Sequence, residues 1–281
     1  MRVRIFQPKE KVESSQVSTL YEGENLKEEK YRLVFDGYMN AVRLDDVYMQ
    51  LNDDYPPTTY QGGSMKVGDV IEVLGDFRPI YGTVRTHTFA TLSFFSRDEF
   101  EAAVAQMKKQ GHEYVATVLG GRVPNPEQNG YYLCQPIGWS RVNLLHPEKV
   151  QPMEGLRVVM LEPGRPPYVT RIRNDLASMQ RAVSQIGEES LIECTYPLRY
   201  DNGVVCVSNE EAKLIGMAGN RIIGGEEYAG PMFLVGSKGP DFVSLTDAQV
   251  ELEMGRFKIP EEITREQVMQ SMGFGFYPGM E

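Results

Sequence analysis

The sequence predicts an α+β protein of two small domains, each a mixed or antiparallel sheet packed with one or two helices. Three observations support this class. The chain has 281 residues, which exceeds the roughly 100–200 residues of one typical domain. Segments with strand-like alternation of apolar residues outnumber segments with helical periodicity. A polar stretch with two prolines, NLLHPEKVQPMEG, separates two such halves and is typical of a linker.

The first half is predicted to be rich in strands. RVRIF, YRLVFDGYM and MKVGDVIEVLG each have strand-like patterns. RLDDVYMQLN has helical spacing, with Asp45 and Asp46 placed favourably in its first turn. A longer helix, SRDEFEAAVAQMKKQG, opens with a capping box of Ser96 and Glu99. The chain from Phe77 to Phe95 is predicted to be β-rich and broken by turns, and EYVATVLGGRV and the pair within YYLCQPIGWSRV supply further strands.

The second half is predicted to contain short strands and two helices. LRVVMLEPGRPPYVTRI holds two strands joined by a proline-rich turn, and Asn174 or Asp175 caps the helix NDLASMQRAVSQIG. SLIECTYPL and GVVCVSN form a hairpin closed by Asn-Gly. Short strands follow in NRIIGG and GPMFLVG, and Thr246 caps a last helix, LTDAQVELEMGRF. EEAKLIGM is either one helical turn or an irregular loop.

Composition and charge limit the classes of partner. With 29 basic and 39 acidic residues the formal charge is −10, so direct binding to nucleic acid is not expected, because phosphate contacts need a basic surface. The hydrophobic fraction of 41% fits a globular protein with a core. An acidic protein that binds basic partners, including a DNA mimic, remains open. Ordinary acidity that favours solubility is the simpler interpretation.

Cysteine usage and hydropathy predict a cytoplasmic protein with no membrane association. The three cysteines form no Cys-x-x-Cys motif, so neither a disulfide framework nor a zinc site is indicated. Cys194 and Cys206 lie in apolar, strand-like runs and are expected in the core. No apolar stretch reaches the ~20 residues that span a bilayer, and the first residues lack a signal-peptide core.

The chemistry-bearing residues do not assemble into a recognisable catalytic motif. The three histidines have no i,i+4 partner, and no Walker A or Gly-x-Ser-x-Gly motif occurs. No metal, cofactor or catalytic residue is therefore expected.

The segment CVSNEEAKLIGMAGNRIIGG, residues 206–225, is the best candidate for a ligand site. One interpretation is a small-ligand pocket centred on Asn209, Glu210, Asn220 and Arg221. The simpler interpretation is turn chemistry: an Asx turn at Asn209, and an ion pair between Arg221 and Glu210 or Glu211 that serves structure.

Two arginines define a second candidate surface. Arg171 and Arg173 share one face of a predicted strand, which suggests a face for anions or nucleic acid. The alternative is a solvated strand edge that is protected by its charges.

Five features of the second half follow in order: Glu162-Pro163-Gly164, then Asn209-Glu210-Glu211 with Lys213, then Asn220-Arg221, then the strand from Gly230 to Gly236, then Leu245-Thr246-Asp247. With these features the chain resembles the domain of unknown function 3846 family from about Gly155 to Phe257. One departure is Ser208, which separates Cys-Val from Asn209, so the hairpin is expected to be one residue longer. The resemblance implies a fold outline and no catalytic residue.

Three segments of the first half occur together: YRLVFDG, the segment from LDDVYMQLN through the Ser-x-x-x-x-Asp-Val-Ile strand, and GYYLCQPIGWSRV. With these segments the first half is similar to the YodL-like domain, although Trp139 replaces the usual Phe. The expected division is a YodL-like domain over 1–148 with an insertion around 76–129, a linker over 149–154, a second domain over 155–258, and a tail over 259–281.

Domains of both kinds are typical of conjugative elements and phages of gut Firmicutes. The resemblance therefore implies an accessory protein of a mobile element. The leading hypothesis is that this protein is non-enzymatic and binds a protein partner or a nucleic-acid complex, with inhibition of a host defence system as one version. The competing hypothesis is a small-ligand or nucleotide-sequestering protein, or an enzyme, that uses the pocket near Asn209, Asn220 and Arg221. A third hypothesis is an assembly role through the tail aromatics Phe274, Phe276 and Tyr277.

Overall fold

In the computed structural model, every strand ladder among the described residues is antiparallel and helices lie beside the sheets, which confirms the predicted α+β class. The chain divides into two compact units, Met1–Met153 and Glu154–Glu281. The structure describes residues 1–52, 56–77, 80–86, 91–94, 97–109, 111, 113–122, 128–184, 190–195 and 203–272.

The first unit has a five-stranded sheet, a three-stranded sheet and a two-stranded ribbon. Its elements are β1 (Arg2–Pro8), β2 (Tyr21–Glu22), β3 (Asn25–Leu26), β4 (Tyr31–Tyr38), α1 (Leu44–Asn52), β5 (Val70–Gly75), β6 (Ile80–Thr86), β7 (Thr91–Phe94), α2 (Arg97–Lys109), β8 (Tyr114–Arg122), β9 (Gly130–Cys134) and β10 (Trp139–Val142). Short 3₁₀ segments cover Ser14–Leu20, Glu28–Lys30 and Pro147–Lys149.

The five-stranded sheet, in the order β10-β9-β5-β1-β4, carries apolar residues on both faces. Val3 and Ile5 of β1 belong to one core cluster together with Val47 and Leu51 of α1. On the opposite face, Phe6 packs in a second cluster with residues from the ribbon and the 3₁₀ segments. Strand alternation places successive side chains on opposite faces, so β1 serves both clusters.

The three-stranded sheet, in the order β7-β6-β8, is covered by α2. Phe100 of α2 is buried and its ring packs on Tyr81 and Phe94. Gly82 allows this approach, because a Cβ there would lie 2.6 Å from the Phe100 ring. The predicted capping box of Ser96 and Glu99 lies outside the described side chains.

Part of the expected linker over 149–154 is held by the first unit. Val150 is buried in a core cluster of that unit. The main-chain oxygen of Gln151 accepts a hydrogen bond from Leu33 N over 2.8 Å.

The second unit has a six-stranded sheet built on the path β12-β11-β17-β14-β13, with a further strand, β18, paired to β17. A separate hairpin, β15–β16, accompanies it. The elements are β11 (Leu156–Leu161), β12 (Tyr168–Ile172), α3 (Leu176–Ala182), β13 (Ile192–Thr195), β14 (Val204–Asn209), β15 (Gly219–Ile223), β16 (Glu226–Ala229), β17 (Met232–Lys238), β18 (Asp241–Val243), α4 (Asp247–Arg256) and α5 (Arg265–Ser271).

Two helices of the second unit are capped by residues that the sequence predicted as caps. Asp175 accepts a hydrogen bond from Ser178 N and caps α3. Thr246 and Gln249 form a capping box at α4. The expected end of α3, Ile186 and Gly187, lies outside the described residues.

The sequence did not predict β2, β3, β16, β18 or α5. Gly224 and Gly225, at φ +65° and +91°, form the two-residue connection that folds β16 back on β15. In the expected tail, α5 begins after a Thr264 cap, and its Val268 is buried beside Ile263. The tail aromatics Phe274, Phe276 and Tyr277 lie outside the described residues.

The expectation of a buried Cys194 was wrong. Cys206 is buried, but Cys194 is exposed, because β13 is an edge strand of the sheet. Cys134 is buried as well.

Candidate functional site

Asn220 lies on β15 and is fully buried. Its amide nitrogen donates to the main-chain oxygen of Leu161 over 2.9 Å and to that of Gly230 over 2.6 Å. Leu161 ends β11 and Gly230 precedes β17, so one side chain joins the hairpin to two central strands. Both amide protons are therefore committed to the backbone.

Arg221 is 1% exposed, and its guanidinium binds oxygens of the protein itself. Nη1 donates to the main-chain oxygen and to Oδ1 of Asn220, each over 2.8 Å, and Nη2 donates to the main-chain oxygen of Arg165 over 2.7 Å. Nε has no hydrogen-bond partner among the described residues. Burial lowers the pKa of Arg221, and the charge of Glu261 opposes that shift. The expected ion pair with Glu210 or Glu211 is not formed.

The turn between β11 and β12 completes this cluster. Arg165 is buried and pairs with Glu162 over 2.5 Å. Tyr168 donates its hydroxyl to the other oxygen of Glu162 over 2.6 Å. The Glu-Pro-Gly turn and the Asn-Arg step therefore meet in space.

Asn209 belongs to a neighbouring network. Its Oδ1 accepts a hydrogen bond from Glu211 N over 2.8 Å, which is the predicted Asx turn. Its Nδ2 donates to Ser190 Oγ over 2.8 Å and lies 3.9 Å from Met217 Sδ. A Cβ on Gly230 would collide with the same sulfur, so Met217 bridges the environments of Asn209 and Asn220.

Of the four predicted ligand-binding residues, the structure joins Asn220 and Arg221, places Asn209 beside them and leaves Glu210 exposed. Nearly all donors and acceptors of the buried three are satisfied internally. Among their side-chain atoms, Nε of the Arg221 guanidinium has no hydrogen-bond partner in the described part of the chain. No group of three or more His, Cys, Asp or Glu in the described part of the chain is placed to hold a metal ion.

Arg171 and Arg173, the expected anion face, both meet oxygens of the second unit. Arg171 Nη1 donates to the main-chain oxygen of Gly155 over 2.8 Å, and Arg173 Nε lies 3.7 Å from a carboxylate oxygen of Glu154. Arg157 stands opposite Arg171 in the ladder and pairs with Asp247 over 2.5 Å. These oxygens offset part of the positive charge on this face.

Sequence reasoning missed a buried polar cluster in the first unit. Asp69 is fully buried, and its Oδ2 accepts from Gln7 Nε2 over 2.9 Å and from Lys66 N over 3.0 Å. Burial raises the pKa of Asp69 to about 7. Its Oδ1 has no partner among the described residues. The aspartate of the Ser-x-x-x-x-Asp-Val-Ile strand was the available signal.

Sequence reasoning also missed a partly exposed surface, here named the aromatic patch, formed by the exposed Tyr48 and Ile137 and the half-buried Trp139. The Trp139 ring stands edge-on to Tyr48 with centroids 6.5 Å apart, and its Nε1 donates to Asp45 Oδ1 over 2.9 Å. Ile137, at the tip of the β9–β10 hairpin, is 94% exposed. The single tryptophan of the chain was the available signal.

Two family models match the chain, one in each unit. Residues 2–94 match the YodL-like domain, and residues 156–258 match the Domain of unknown function (DUF3846). Each unit therefore contains a region that is similar to one of these families. The Glu-Pro-Gly turn, Asn209, Asn220 and Arg221 all lie within the DUF3846 region, whereas α2 and β8 lie outside both matches.

Neither the description of the YodL-like family nor that of the DUF3846 family names an activity. No curated protein and no solved structure matches the chain. Among the described helices, none is both long and apolar enough to cross a bilayer.

Proposed function

We propose that the protein is a non-catalytic accessory protein that binds a protein partner through the aromatic patch of Tyr48, Ile137 and Trp139. The observation that carries the proposal is the exposure of Ile137 beside a tryptophan whose orientation is fixed. Tryptophan and tyrosine are enriched among residues that dominate binding energy, because they bury large areas for little loss of rotamer freedom.

The geometry of the patch supports binding. The hydrogen bond from Trp139 to Asp45 and the edge-on contact with Tyr48 hold the indole in one orientation before a partner arrives. Preorganisation of this kind lowers the entropic cost of association. Asp45 adds a carboxylate at the rim, so a partner with basic residues around an apolar centre is favoured.

The hydrogen bonding of the buried polar side chains in the second unit also favours binding over catalysis. Asn220 gives both amide protons to main-chain oxygens, and Arg221 gives three hydrogen bonds to its own chain. A catalytic group must reach a substrate atom within hydrogen-bond distance, and these two side chains are buried. Their role in this proposal is to hold the hairpin on the sheet.

We also propose that the protein belongs to a mobile element and acts in the cytoplasm of its host. This part of the proposal is supported by the similarity to two families that occur in conjugative elements and phages. Inhibition of a host defence system is the concrete version, and the formal charge of −10 is compatible with a basic, DNA-binding partner.

The test uses the full chain as bait in host extract, followed by purification of the captured protein and calorimetry. Ile137→Asp and Trp139→Ala are compared with Ile259→Asp, a control at a side chain of the second unit that is 79% exposed. We expect each patch variant to weaken binding by about 30-fold or more, as for a residue worth about 2 kcal/mol, with the control unchanged. Equal affinity of all variants would refute the patch.

A second candidate function, binding of a small anion such as a nucleotide near Arg221, is favoured by the unpartnered Nε of that buried guanidinium. Native mass spectrometry and thermal shift with phosphate and nucleotides test it. A bound anion should raise the melting temperature of the wild type and have no effect on Arg221→Met. If Asn220→Ala and Arg221→Ala change stability but no ligand is detected, the candidate fails.

A further inference from the structure

Strand β8 forms one edge of the three-stranded sheet. It pairs with β6 along one side, and no strand covers its other side among the described residues. It lies outside both family matches, in the stretch between residues 94 and 156. Neither family match therefore accounts for β8 or for its free edge.

The side chains of β8 are exposed in succession. Val115 is 55% exposed and Val118 is 61% exposed, and Ala116 and Thr117 between them are exposed too. Successive residues of a strand point to opposite faces, so both faces of β8 are open. The reason is the position of α2, whose Phe100 packs on Tyr81 and Phe94 and so covers β6 and β7.

The sequence of β8 lacks the usual protection of an edge. No charged residue occurs from Tyr114 to Gly121, whereas β4, β10, β12 and β13 at the edges of the larger sheets each include at least one. β7, at the other edge of the same sheet, is also uncharged but has only four residues. Natural proteins place charges or proline on edges that must stay unpaired.

We propose that β8 pairs with β8 of a second copy of this chain, antiparallel, about a two-fold axis at Thr117. A two-fold axis perpendicular to the sheet makes the two strands antiparallel and leaves each side chain on the same face of the sheet. Odd-numbered residues therefore oppose odd-numbered residues, and even-numbered residues oppose even-numbered residues. Thr117 then faces Thr117 of the second copy, Ala116 faces Val118, and Val115 faces Leu119. Two three-stranded sheets join into one of six strands.

The charges at the ends of β8 favour a second copy as the occupant. The first charged residues on either side are Glu113 and Arg122. An antiparallel arrangement brings the acidic end of one strand to the basic end of the other, and the uncharged stretch between them meets itself without repulsion. The formal charge of −10 comes from residues outside this uncharged stretch, and it repels a second copy of the chain. The uncharged stretch of β8 adds nothing to that repulsion.

The first test is the oligomeric state of the full chain. Sedimentation velocity from micromolar to millimolar concentration should show a species of twice 31.8 kDa that increases with concentration and with added salt. Thr117→Lys, which opposes two ammonium groups across the axis, should remain monomeric. Ile259→Lys, an exposed site in the second unit with the same charge change, should dimerise as the wild type does. Circular dichroism checks that each variant is folded.

A wild type that stays monomeric at every concentration, or a Thr117→Lys variant that dimerises like the control, overturns the proposal. Pairing of β8 with a strand of a different protein would give the first of these outcomes.

The second test fixes the register in a Cys194→Ser background, which removes the exposed thiol. Opposed residues of an antiparallel pair have Cα atoms about 4.5–5.5 Å apart, within the range for a disulfide. Thr117→Cys should therefore form a cross-linked dimer under mild oxidation. Ala116→Cys should not form a cross-linked dimer. Position 116 of one copy lies opposite position 118 of the other, so the Cα atoms of the two residues 116 are roughly 8 Å apart. Cross-linking at 116 and not at 117 contradicts the axis at Thr117.

Discussion

Arg221 donates from Nη2 to the main-chain oxygen of Arg165 over 2.7 Å, although 56 positions separate the two residues in the sequence. The contact joins β15 to the turn between β11 and β12. Asn220, next to Arg221, ties the same hairpin to Leu161 and Gly230. Two adjacent polar side chains therefore fix the hairpin on the main sheet of the second unit, and this role predicts how they respond to substitution.

Asn220→Ala is expected to destabilise the protein strongly. The change leaves the oxygens of Leu161 and Gly230 buried without their donor, at about 1–3 kcal/mol for each unsatisfied group. Chemical denaturation monitored by circular dichroism measures the loss. Asn174→Ala, at an exposed asparagine of the same unit, should stay within about 0.5 kcal/mol of the wild type. A similar small effect for both variants would contradict the anchoring role.

Gly155→Ala and Gly255→Ala are expected to act in opposite directions. Gly155 has φ +97°, and a Cβ there would collide with the main chain of Ile172 and Arg173, so alanine should cost about 1–3 kcal/mol or more. Gly255 lies in α4 with open space around it, so alanine should stabilise the helix by roughly 0.5–1 kcal/mol. Thermal midpoints should shift down for the first variant and up for the second, and shifts of the same sign would contradict this assignment.

Local patterns in the sequence were sufficient for most elements. Strand-like patterns located β1, β4 and β11, and the predicted N-cap Thr246 belongs to a capping box. These features depend on residues within one segment, which is why they could be predicted. The α+β class follows from them.

Features that depend on distant segments could not be predicted. Cys194 is exposed because β13 is an edge strand, and no property of its own segment indicates this. Arg221 binds the main-chain oxygen of Arg165 because the fold places the Glu-Pro-Gly turn beside β15. Within the hairpin, β16 is four residues long with two glutamates, and its pattern is too short for a strand prediction.

Asp69 combines burial with incomplete hydrogen bonding. Oδ2 accepts from Gln7 and Lys66 N, whereas Oδ1 has no partner among the described residues. Desolvation raises the pKa of Asp69 to about 7, against opposing effects of those hydrogen bonds and of the positive charges of Lys66 and Arg32. The carboxylate in turn raises the pKa values of Tyr31, Tyr60 and Cys134 nearby, where burial is the larger cause.

This shift predicts how stability depends on pH. The folded pKa, about 7, lies above the ordinary value of 3.8, so the folded state holds the proton more tightly than the unfolded chain. The contribution of Asp69 to the free energy of unfolding is fully present below about pH 4 and is lost as the pH rises through about 7. A shift of this size corresponds to a loss on the order of 4 kcal/mol.

Asp69→Asn should remove that dependence, because an amide oxygen can accept the same two hydrogen bonds and carries no proton to lose. The measurement is the free energy of unfolding from pH 4 to pH 8, expressed as the variant minus the wild type, which cancels the other titrating groups. We expect the difference to move in favour of the variant by several kcal/mol as the pH rises. Asn174→Ala, which changes no titrating group, should give a difference that does not vary with pH. A flat difference for Asp69→Asn as well would mean that Asp69 is ionised in the folded protein throughout this range.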